Sequence, residues 1–367
     1  MFNVVQIEGF RSLRRLRLDS LKRLNLLVGT NNSGKTSVLE ALNLLARVGD
    51  PNALYQSMSR RGERLPEEPD ARASETEFDV CHLFTGHEIT LGSSFSVMAS
   101  NSYPSRTLTC TVSEIEEDEK SLFSSQALGS RTGLVLIIEG GPTPPFSSIP
   151  LSPRGGITPN SLQSMRRLPR TQSADTLPCV YISTDSLTSD GLTRLWDRLA
   201  LTPDEEFVLD ALRYLDPDIE RVAALASSRL YASNSQNRGS FVVKMRGSNQ
   251  PIPIGSMGDG MWRMLAMAIA VTQSKGGLLL IDEIDTGLHH TVMDGMWQML
   301  ARAAHEFNVQ VFATTHSLDC VNSLAMSNIG DSGEDFSLQR VESGKSDSIP
   351  YTSAEIRAAA DRGIEVR

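Results

Sequence analysis

Residues 24–41, LNLLVGTNNSGKTSVLEA, constrain this chain more than any other stretch. Gly29 is followed by four residues and then by Gly34, Lys35 and Thr36, which is the G-x-x-x-x-G-K-[ST] phosphate loop. An apolar run precedes the loop and a helix-compatible segment follows it, so the positive end of the helix dipole faces the same anion as the loop. A chance match on a turn is the alternative. The strand and helix context favours a nucleotide site.

The loop residues have separate expected roles. Lys35 is expected to reach the β- and γ-phosphates of a nucleotide, and the Thr36 hydroxyl is expected to hold Mg²⁺. The remaining contacts are expected from the backbone of the loop and the first turn of its helix. The predicted nucleotide contacts are Gly29, Asn31, Asn32, Ser33, Gly34, Lys35, Thr36 and Ser37.

Composition excludes several classes of protein. The 367 residues are 40% hydrophobic, and no apolar run approaches the roughly 20 residues that span a bilayer. The N-terminus lacks a signal-peptide pattern, so a cytoplasmic protein is expected. The four cysteines form no C-x-x-C pair, which disfavours a zinc site and a disulfide framework.

Charge argues against indiscriminate binding to nucleic acid, because the formal net charge is −9. Two basic clusters remain, one within residues 11–23 and one within residues 166–170. A solvated surface is the alternative for both clusters.

The pattern of apolar residues divides the chain. Short strands are predicted at 4–7, 16–18 and 24–28, a helix at 35–47, and an antiparallel sheet from the runs 89–91, 95–98, 107–115 and 134–138. The Pro/Ser-rich residues 141–178 are predicted to be a mobile insertion. Helices at 187–199 and 203–215 and strands at 229–232 and 241–245 follow. From residue 259 onward helices and strands alternate, which indicates a parallel sheet with helices on its faces.

The run LLLIDEID, residues 278–285, ends an apolar strand in two adjacent acids. Asp282 is placed to coordinate Mg²⁺, and Glu283 to take a proton from an attacking water. A strand with a polar exit loop is the alternative, but buried carboxylates without a partner are costly.

Two more stretches carry polar groups to the ends of secondary structure elements. In ATTHS, residues 313–317, His316 follows another apolar strand and is placed to hydrogen-bond a γ-phosphate or the attacking water. In SMGDG, residues 256–260, a serine and glycines precede an apolar helix and form a second anion-binding edge. This edge is expected to reach a nucleotide held by another subunit.

These pieces, in this order, resemble an ATP-binding-cassette (ABC) ATPase head of the RecF/SMC/OLD-like group. The N-terminal IEGFRSLRRLRLDSLKRLNLLVGTNNSGKTSVLEAL carries the group's pattern, and IDEIDTGLHH and QVFATTHSLDCV resemble stand-alone OLD-like AAA ATPases without a Toprim domain. The resemblance implies an α/β fold: an ABC-type P-loop ATPase head with a mixed central sheet, an antiparallel β subdomain and a small helical subdomain at about 185–226. The ATPase domain would comprise residues 1–140 and 179–367.

The resemblance also implies how the site works. Two heads would sandwich two ATP molecules with Mg²⁺, Glu283 would be the catalytic base and His316 the switch histidine. Ser256 and Gly258 match the signature loop that acts on the opposite subunit, and Asp285 matches the loop that crosses the dimer interface. Gln56 is a candidate for the Q-loop glutamine, although its spacing from Lys35 is short.

The leading hypothesis is a dimerising, cytoplasmic ATPase that controls a separately encoded effector, a nuclease or toxin, in bacterial anti-phage defence. About 50 residues follow His316, too few for the Toprim module of OLD nucleases at its usual place, so the effector is expected on another polypeptide. The alternative is a RecF-like ATPase that binds DNA in repair or chromosome maintenance. A transporter subunit is disfavoured, because SMGDG stands where transporters have LSGGQ.

Overall fold

The computed structural model describes most of the chain, and the fold below is that of its described residues. These are residues 1–48, 50–66, 77–100, 105–114, 134–140, 147–158, 177–183, 189–225, 241–327, 329 and 336–366. No helix in these ranges is both long and apolar enough to cross a lipid bilayer.

Seventeen strands and eight helices have defined bounds within those ranges. The strands are β1 Val4–Phe10, β2 Leu13–Leu18, β3 Leu24–Val28, β4 Phe78–Asp79, β5 Ser94–Ser100, β6 Arg106–Glu114, β7 Leu134–Gly140, β8 Ser147–Pro150, β9 Gly156–Ile157, β10 Cys179–Ile182, β11 Ile219–Ala224, β12 Phe241–Met245, β13 Ile252–Pro253, β14 Leu278–Ile281, β15 Gln310–Thr314, β16 Phe336–Arg340 and β17 Ile349–Tyr351. The helices are α1 Lys35–Ala46, α2 Pro51–Arg60, α3 Ser189–Trp196, α4 Asp204–Arg213, α5 Asp259–Thr272, α6 His290–Glu306, α7 Leu318–Met326 and α8 Ser353–Asp361.

Two six-stranded sheets form the framework. The first is antiparallel, in the order β2-β1-β5-β6-β7-β8. The second has the order β10-β14-β15-β3-β16-β17 and is parallel except for the edge pair β16-β17. The smaller sheets are β11-β12-β13 and β4-β9. The fold is therefore α/β with a mixed central sheet and an antiparallel β subdomain, as the sequence predicted.

Helix α1 lies between the two large sheets, where it packs on β1, β5 and β6 of one sheet and on β10, β14 and β15 of the other. All of its residues except Thr36 are buried. Strand β3, which precedes it, has no exposed residue. Leu24 and Leu26 join the core on the side of helices α3–α8, and Leu27 joins the core shared with the antiparallel sheet. Residues on a strand alternate between faces, so β3 supplies both cores.

A buried ionic cluster ties the antiparallel sheet to α1. Arg11 in the β1–β2 turn has a left-handed backbone, with φ 52°, and only 4% of its side chain is exposed. Its Nε lies 2.7 Å from Oε2 of Glu40 on α1, and its guanidinium also pairs with Glu63. Arg61 contacts the other oxygen of Glu40 at 2.9 Å. One member of the N-terminal basic cluster is therefore a core residue.

Several sequence predictions were wrong. Residues 89–91 form no strand, because Thr90 and Ser93 close a turn and Gly92 has φ 84°. Residues 147–157, inside the predicted mobile insertion, contribute β8 and β9, with Ile149 and Ile157 fully buried. These residues form strands despite their polar composition, because β8 pairs with β7 and β9 pairs with β4.

The predicted helical segment at 185–226 contains helices α3 and α4 but ends in strand β11, which pairs with β12. The strand predicted at 229–232 and the basic cluster at 166–170 lie outside the described residues. Helix α8 was not predicted, although a Thr352–Glu355 capping box marks its start.

Replacing Arg11 with Met tests the ionic cluster. The change leaves Glu63 and one oxygen of Glu40 without their cation in a buried setting, so the free energy of unfolding is expected to fall by about 3 kcal/mol. Urea denaturation measures it. Arg14→Met, an exposed change in the next strand, is the control, with an expected effect of less than about 0.5 kcal/mol. Equal effects of the two changes would contradict a structural role for the cluster.

Candidate nucleotide site

The phosphate loop joins β3 to α1, and two of its glycines are required by space and by backbone angle. Gly29 has φ 142°, and a Cβ there would lie 2.2 Å from the Val341 carbonyl oxygen. Gly34 has φ 99°, and a Cβ there would lie 2.6 Å from a methyl carbon of Leu13. Larger residues would displace the loop from the strand ends, so the G-x-x-x-x-G spacing has a steric cause.

Lys35 lies inside the loop with 5% of its surface exposed. Its Nζ donates hydrogen bonds to the carbonyl oxygens of Gly29 and Thr30, both at 2.8 Å. Burial lowers the pKa of this ammonium group, while the carboxylates of Asp282 and Glu283 act in the opposite direction. A nucleoside triphosphate bound in the loop would add negative charge and favour the charged form of the Lys35 side chain.

Ser33 supplies a test of whether the loop suits a phosphate. Its Oγ is buried and has no hydrogen-bond partner among the described residues. Asn32, one residue earlier, has a left-handed backbone with φ 63°. Buried hydroxyl groups in native proteins are nearly always paired, so an unpartnered one at this position fits an anion oxygen as its partner.

Asp282 connects the phosphate loop to the central sheet. Its Oδ1 accepts hydrogen bonds from the Thr36 hydroxyl at 3.1 Å and from the Thr314 hydroxyl at 2.6 Å. The order β14-β15-β3 explains this contact, because β15 lies between the strand before Asp282 and the strand before the loop. A hydroxyl and a carboxylate oxygen at this separation are hard ligands suited to Mg²⁺.

Glu283 has φ 47°, an unusual conformation for a non-glycine residue, and the surrounding groups hold it there. Its N–H donates to the Thr314 hydroxyl oxygen at 2.8 Å. The buried Arg263 on α5 donates from Nη2 to the carbonyl oxygens of Asp282 and Glu283, both at 2.9 Å. The Glu283 carboxylate accepts a hydrogen bond from the Thr286 hydroxyl at 3.2 Å.

Neither Arg263 nor Thr314 was singled out from the sequence. Arg263 stands in the apolar helix segment MWRMLAMAIAVT, where it is the one charged side chain. A charged residue within an apolar helix was the signal that could have identified Arg263, because a buried arginine requires ionic or hydrogen-bond partners.

Asp285 and His316 lie near the same edge of the central sheet. Asp285 Oδ1 accepts a hydrogen bond from the Thr315 hydroxyl at 2.5 Å. His316 is half-buried and follows the end of β15 by two residues. The structure thus brings the predicted residues at the ends of β3, β14 and β15 to one edge.

The predicted signature residues Ser256 and Gly258 are exposed at the start of α5. Gly258 has φ 96° and caps the helix without a side-chain hydrogen bond. Two residues later, Gly260 lies close to Gly287, since a Cβ on Gly260 would be 3.5 Å from the Gly287 carbonyl oxygen. The first turn of a helix directs backbone N–H groups outward, where they can bind an anion.

Gln56, the candidate Q-loop residue, lies exposed on α2. One turn later, the Arg60 guanidinium lies 4.4 Å from the centroid of the Tyr181 ring. Burial and the carboxylate of Asp282 raise the pKa of the Tyr181 hydroxyl. Helix α2 therefore ends near the acidic edge, and Arg60 was another residue that sequence reasoning missed.

Comparisons with known proteins agree with this geometry. A family model described as "AAA ATPase domain" matches residues 1–127, which contain the phosphate loop. A second, described as "AAA domain, putative AbiEii toxin, Type IV TA system", matches residues 158–321, which contain Asp282 and Glu283.

Two curated relatives and one solved structure are similar to the chain. An ATP/GTP phosphatase of Helicobacter pylori is 22% identical over an alignment 348 residues long, which covers 88% of this chain and 87% of that protein. The RecF DNA replication and repair protein of Thioalkalivibrio sulfidiphilus is 46% identical over 46 residues, 12% of this chain and 13% of RecF. An Smc head domain with an extended coiled coil, bound to the C-terminal domain of ScpA and derived from Pyrococcus furiosus, has a TM-score of 0.48 and 12% identity, covering 98% of each chain.

The phosphate loop, the strand that ends in Asp282 and Glu283, and their contact through Thr36 are the parts that nucleotide hydrolysis requires. The two family models place these parts in AAA ATPase domains, and the Helicobacter relative spans nearly the whole chain. Two separate stretches of the chain thus match AAA ATPase family models, and most of its length is similar to an ATP/GTP phosphatase.

Proposed function

We propose that this chain is a cytoplasmic ATPase that dimerises head-to-tail around Mg²⁺-ATP and uses binding and hydrolysis to control a separately encoded effector. The observation that supports the hydrolytic part best is the hydrogen bond from Thr36 to Asp282, with Glu283 next in the chain. It joins a phosphate-binding loop to a metal-binding carboxylate and a base.

The residues of one subunit would bind and orient the nucleotide. Backbone N–H groups of the loop and the ammonium group of Lys35 hold the phosphate oxygens, and the Ser33 hydroxyl gains a partner. Thr36 and Asp282 would hold Mg²⁺, which would supply positive charge to offset that of the phosphates. The fit rests on the unpartnered Ser33 Oγ and on the 3.1 Å contact between Thr36 and Asp282.

Glu283 and His316 would act on the attacking water. The Glu283 carboxylate takes a proton from water as the water oxygen attacks the γ-phosphorus, and His316 orients the water or the γ-phosphate by a hydrogen bond. Arg263 and Thr314 contribute by holding the Asp282–Glu283 backbone in its strained conformation. A base fixed in position before substrate arrives loses less freedom during the reaction.

The dimer part of the proposal is supported by the surface at the start of α5. Ser256 and Gly258 are exposed there, Gly258 caps the helix without a side-chain hydrogen bond, and Gly260 lies close to Gly287. We infer that this edge binds the γ-phosphate of ATP held in the phosphate loop of a second copy. Asp285, fixed by Thr315, would border the same interface. Nucleotide binding would then favour association, and hydrolysis would remove that contribution.

A role in bacterial anti-phage defence is supported by the family model over residues 158–321, whose description names an AbiEii toxin and a type IV toxin–antitoxin system. In this proposal the ATP-bound dimer presents a different surface to the effector, a nuclease or toxin, than the separated subunits do. The effector therefore responds to the population of the closed dimer.

A RecF-like role on DNA is the second candidate, favoured by the 46-residue match to RecF. The N-terminal basic cluster gives weaker support to DNA binding than its number of arginines suggests. Arg11 is buried, and the Arg17 guanidinium contacts the Asp19 carboxylate at 2.8 Å. ATP-dependent duplex binding that weakens steeply with added salt would support this role, and no binding at low salt would exclude it.

Glu283→Gln tests the proposed mechanism. Loss of the base should lower kcat for ATP hydrolysis by at least about 100-fold while leaving ATP binding intact. The variant should therefore form an ATP- and Mg²⁺-dependent dimer that the wild type forms only transiently, as measured by sedimentation velocity.

Adding Ser256→Arg to this variant is the matched control, because it blocks the α5 edge without altering the phosphate loop. The double variant should bind ATP as a monomer. Unchanged hydrolysis in Glu283→Gln would overturn the role of the base, and a dimer that persists in the double variant would overturn the role of the α5 edge.

Arg263→Met tests whether the arginine positions the base. Without its two hydrogen bonds Glu283 loses its fixed conformation, so kcat should fall by about 100-fold while KM for ATP changes little. Steady-state kinetics with a circular-dichroism check of folding measures the effect. Arg198→Met, an exposed change outside the site, should match wild type. A rise in KM with unchanged kcat would contradict a positioning role.

A further inference from the structure

Three potential metal ligands lie close together in the segment from β4 to the 3₁₀ turn Val80–Leu83, outside the candidate nucleotide site. One ligand atom from each of Asp79, Cys81 and His82 lies within 4.8 Å of the other two. Of the four cysteines, only Cys81 is not buried. The sequence did not predict this group, because its spacing, D-x-C-H, contains a single cysteine.

A hydrogen bond orients the Asp79 carboxylate, and a longer contact brings His82 near it. Asp79 caps the turn, with Oδ1 accepting the Cys81 N–H at 3.0 Å. Its second oxygen, Oδ2, lies 3.7 Å from Nε2 of His82. Two oxygen or nitrogen ligands of one tetrahedral zinc ion lie about 3.4 Å apart when their bonds are about 2.05 Å long. Small side-chain rotations therefore bring this pair to bonding positions.

His87 lies on the far side of the His82 ring. The Nδ1 atoms of the two rings are 3.2 Å apart, a hydrogen-bond distance. His87 has a left-handed backbone, φ 59°, and its N–H donates to the Phe84 carbonyl oxygen at 3.2 Å. When Nδ1 of His82 carries the proton and donates to His87, Nε2 of His82 presents its lone pair toward Asp79. Metal-ligating histidines are oriented by a partner in this way.

We propose that Asp79, Cys81 and His82 bind one zinc-class divalent cation, with water as the fourth ligand and His87 as a positioning residue. Binding breaks the Cys81 S–H bond, releases that proton to solvent and forms a sulfur–metal bond. The thiolate and the Asp79 carboxylate then balance the charge of the dication. A mixed set of sulfur, nitrogen and oxygen ligands selects zinc over Mg²⁺ or Ca²⁺, which prefer oxygen ligands.

The position of the site gives the cation a structural consequence. Immediately after the three ligands, the carbonyl oxygen of Leu83 accepts the N–H of Arg11 at 2.9 Å. Two residues further, Thr85 donates to the Gly9 carbonyl oxygen at 2.9 Å. Arg11 contacts Glu40 on α1, so a cation here would brace the turn that supports the buried ionic cluster. This inference does not depend on the proposed ATPase mechanism.

Cobalt titration of the metal-free, reduced protein tests the proposal, because a thiolate–cobalt bond produces a charge-transfer absorption that nitrogen and oxygen ligands do not. Wild type should bind one Co²⁺ per chain with this absorption, and added Zn²⁺ should abolish it. Cys81→Ser should lose the absorption. His87→Ala should keep it while Co²⁺ affinity falls by about 10- to 100-fold. His289→Ala, an exposed histidine elsewhere, is the control and should match wild type.

A second measurement uses only the wild-type protein, so it holds if a variant fails to fold. Zn²⁺ should slow alkylation of Cys81, followed by mass spectrometry, whereas Mg²⁺ at the same concentration should not. Absence of charge-transfer absorption in wild type, its persistence in Cys81→Ser, or equal alkylation rates with and without Zn²⁺ would overturn the proposal.

Discussion

The structure of the site depends on one carboxylate oxygen, Oδ1 of Asp282. It accepts hydrogen bonds from Thr36 at the start of α1 and from Thr314 at the end of β15. Three chain segments that are far apart in sequence meet at this atom, because β15 lies between β3 and β14 in the sheet. This atom therefore joins the phosphate loop to the proposed metal-binding acid and the proposed base.

Two further contacts connect this point to the rest of the molecule. Arg263 joins the acidic turn to α5, whose first residues form the proposed dimer edge. On the other side, α1 carries Glu40, which pairs with Arg11 in the antiparallel sheet. A displacement of the phosphate loop would thus act on both the helical side and the antiparallel sheet. Helix α1 packs between the two sheets and contacts strands of both.

The sequence predicted the parts of the fold whose signals are local. The phosphate loop, β3, β14 and β15 follow from short runs of apolar residues that end in glycine, acids or histidine. Contacts between distant residues were not predictable in this way. Arg11 and Glu40 lie in different elements, and nothing local to either marks it as buried. Residues 147–157 have the composition of a loop, yet neighbouring strands pair with them and bury Ile149. The proposed metal ligands Asp79, Cys81 and His82 carry no sequence signal of their own, because they are brought together by a turn that Asp79 caps.

If Asp282 holds the metal as proposed, its carboxylate makes ATP binding depend on Mg²⁺. Calorimetric titration of ATP into wild type and the isosteric variant Asp282→Asn, each with Mg²⁺ and with a chelator, tests it most directly. Mg²⁺ should strengthen ATP binding to wild type, whereas Asp282→Asn should lose this gain and keep its metal-free affinity. An Asp282→Asn protein that binds ATP with the same Mg²⁺ dependence as wild type would contradict it.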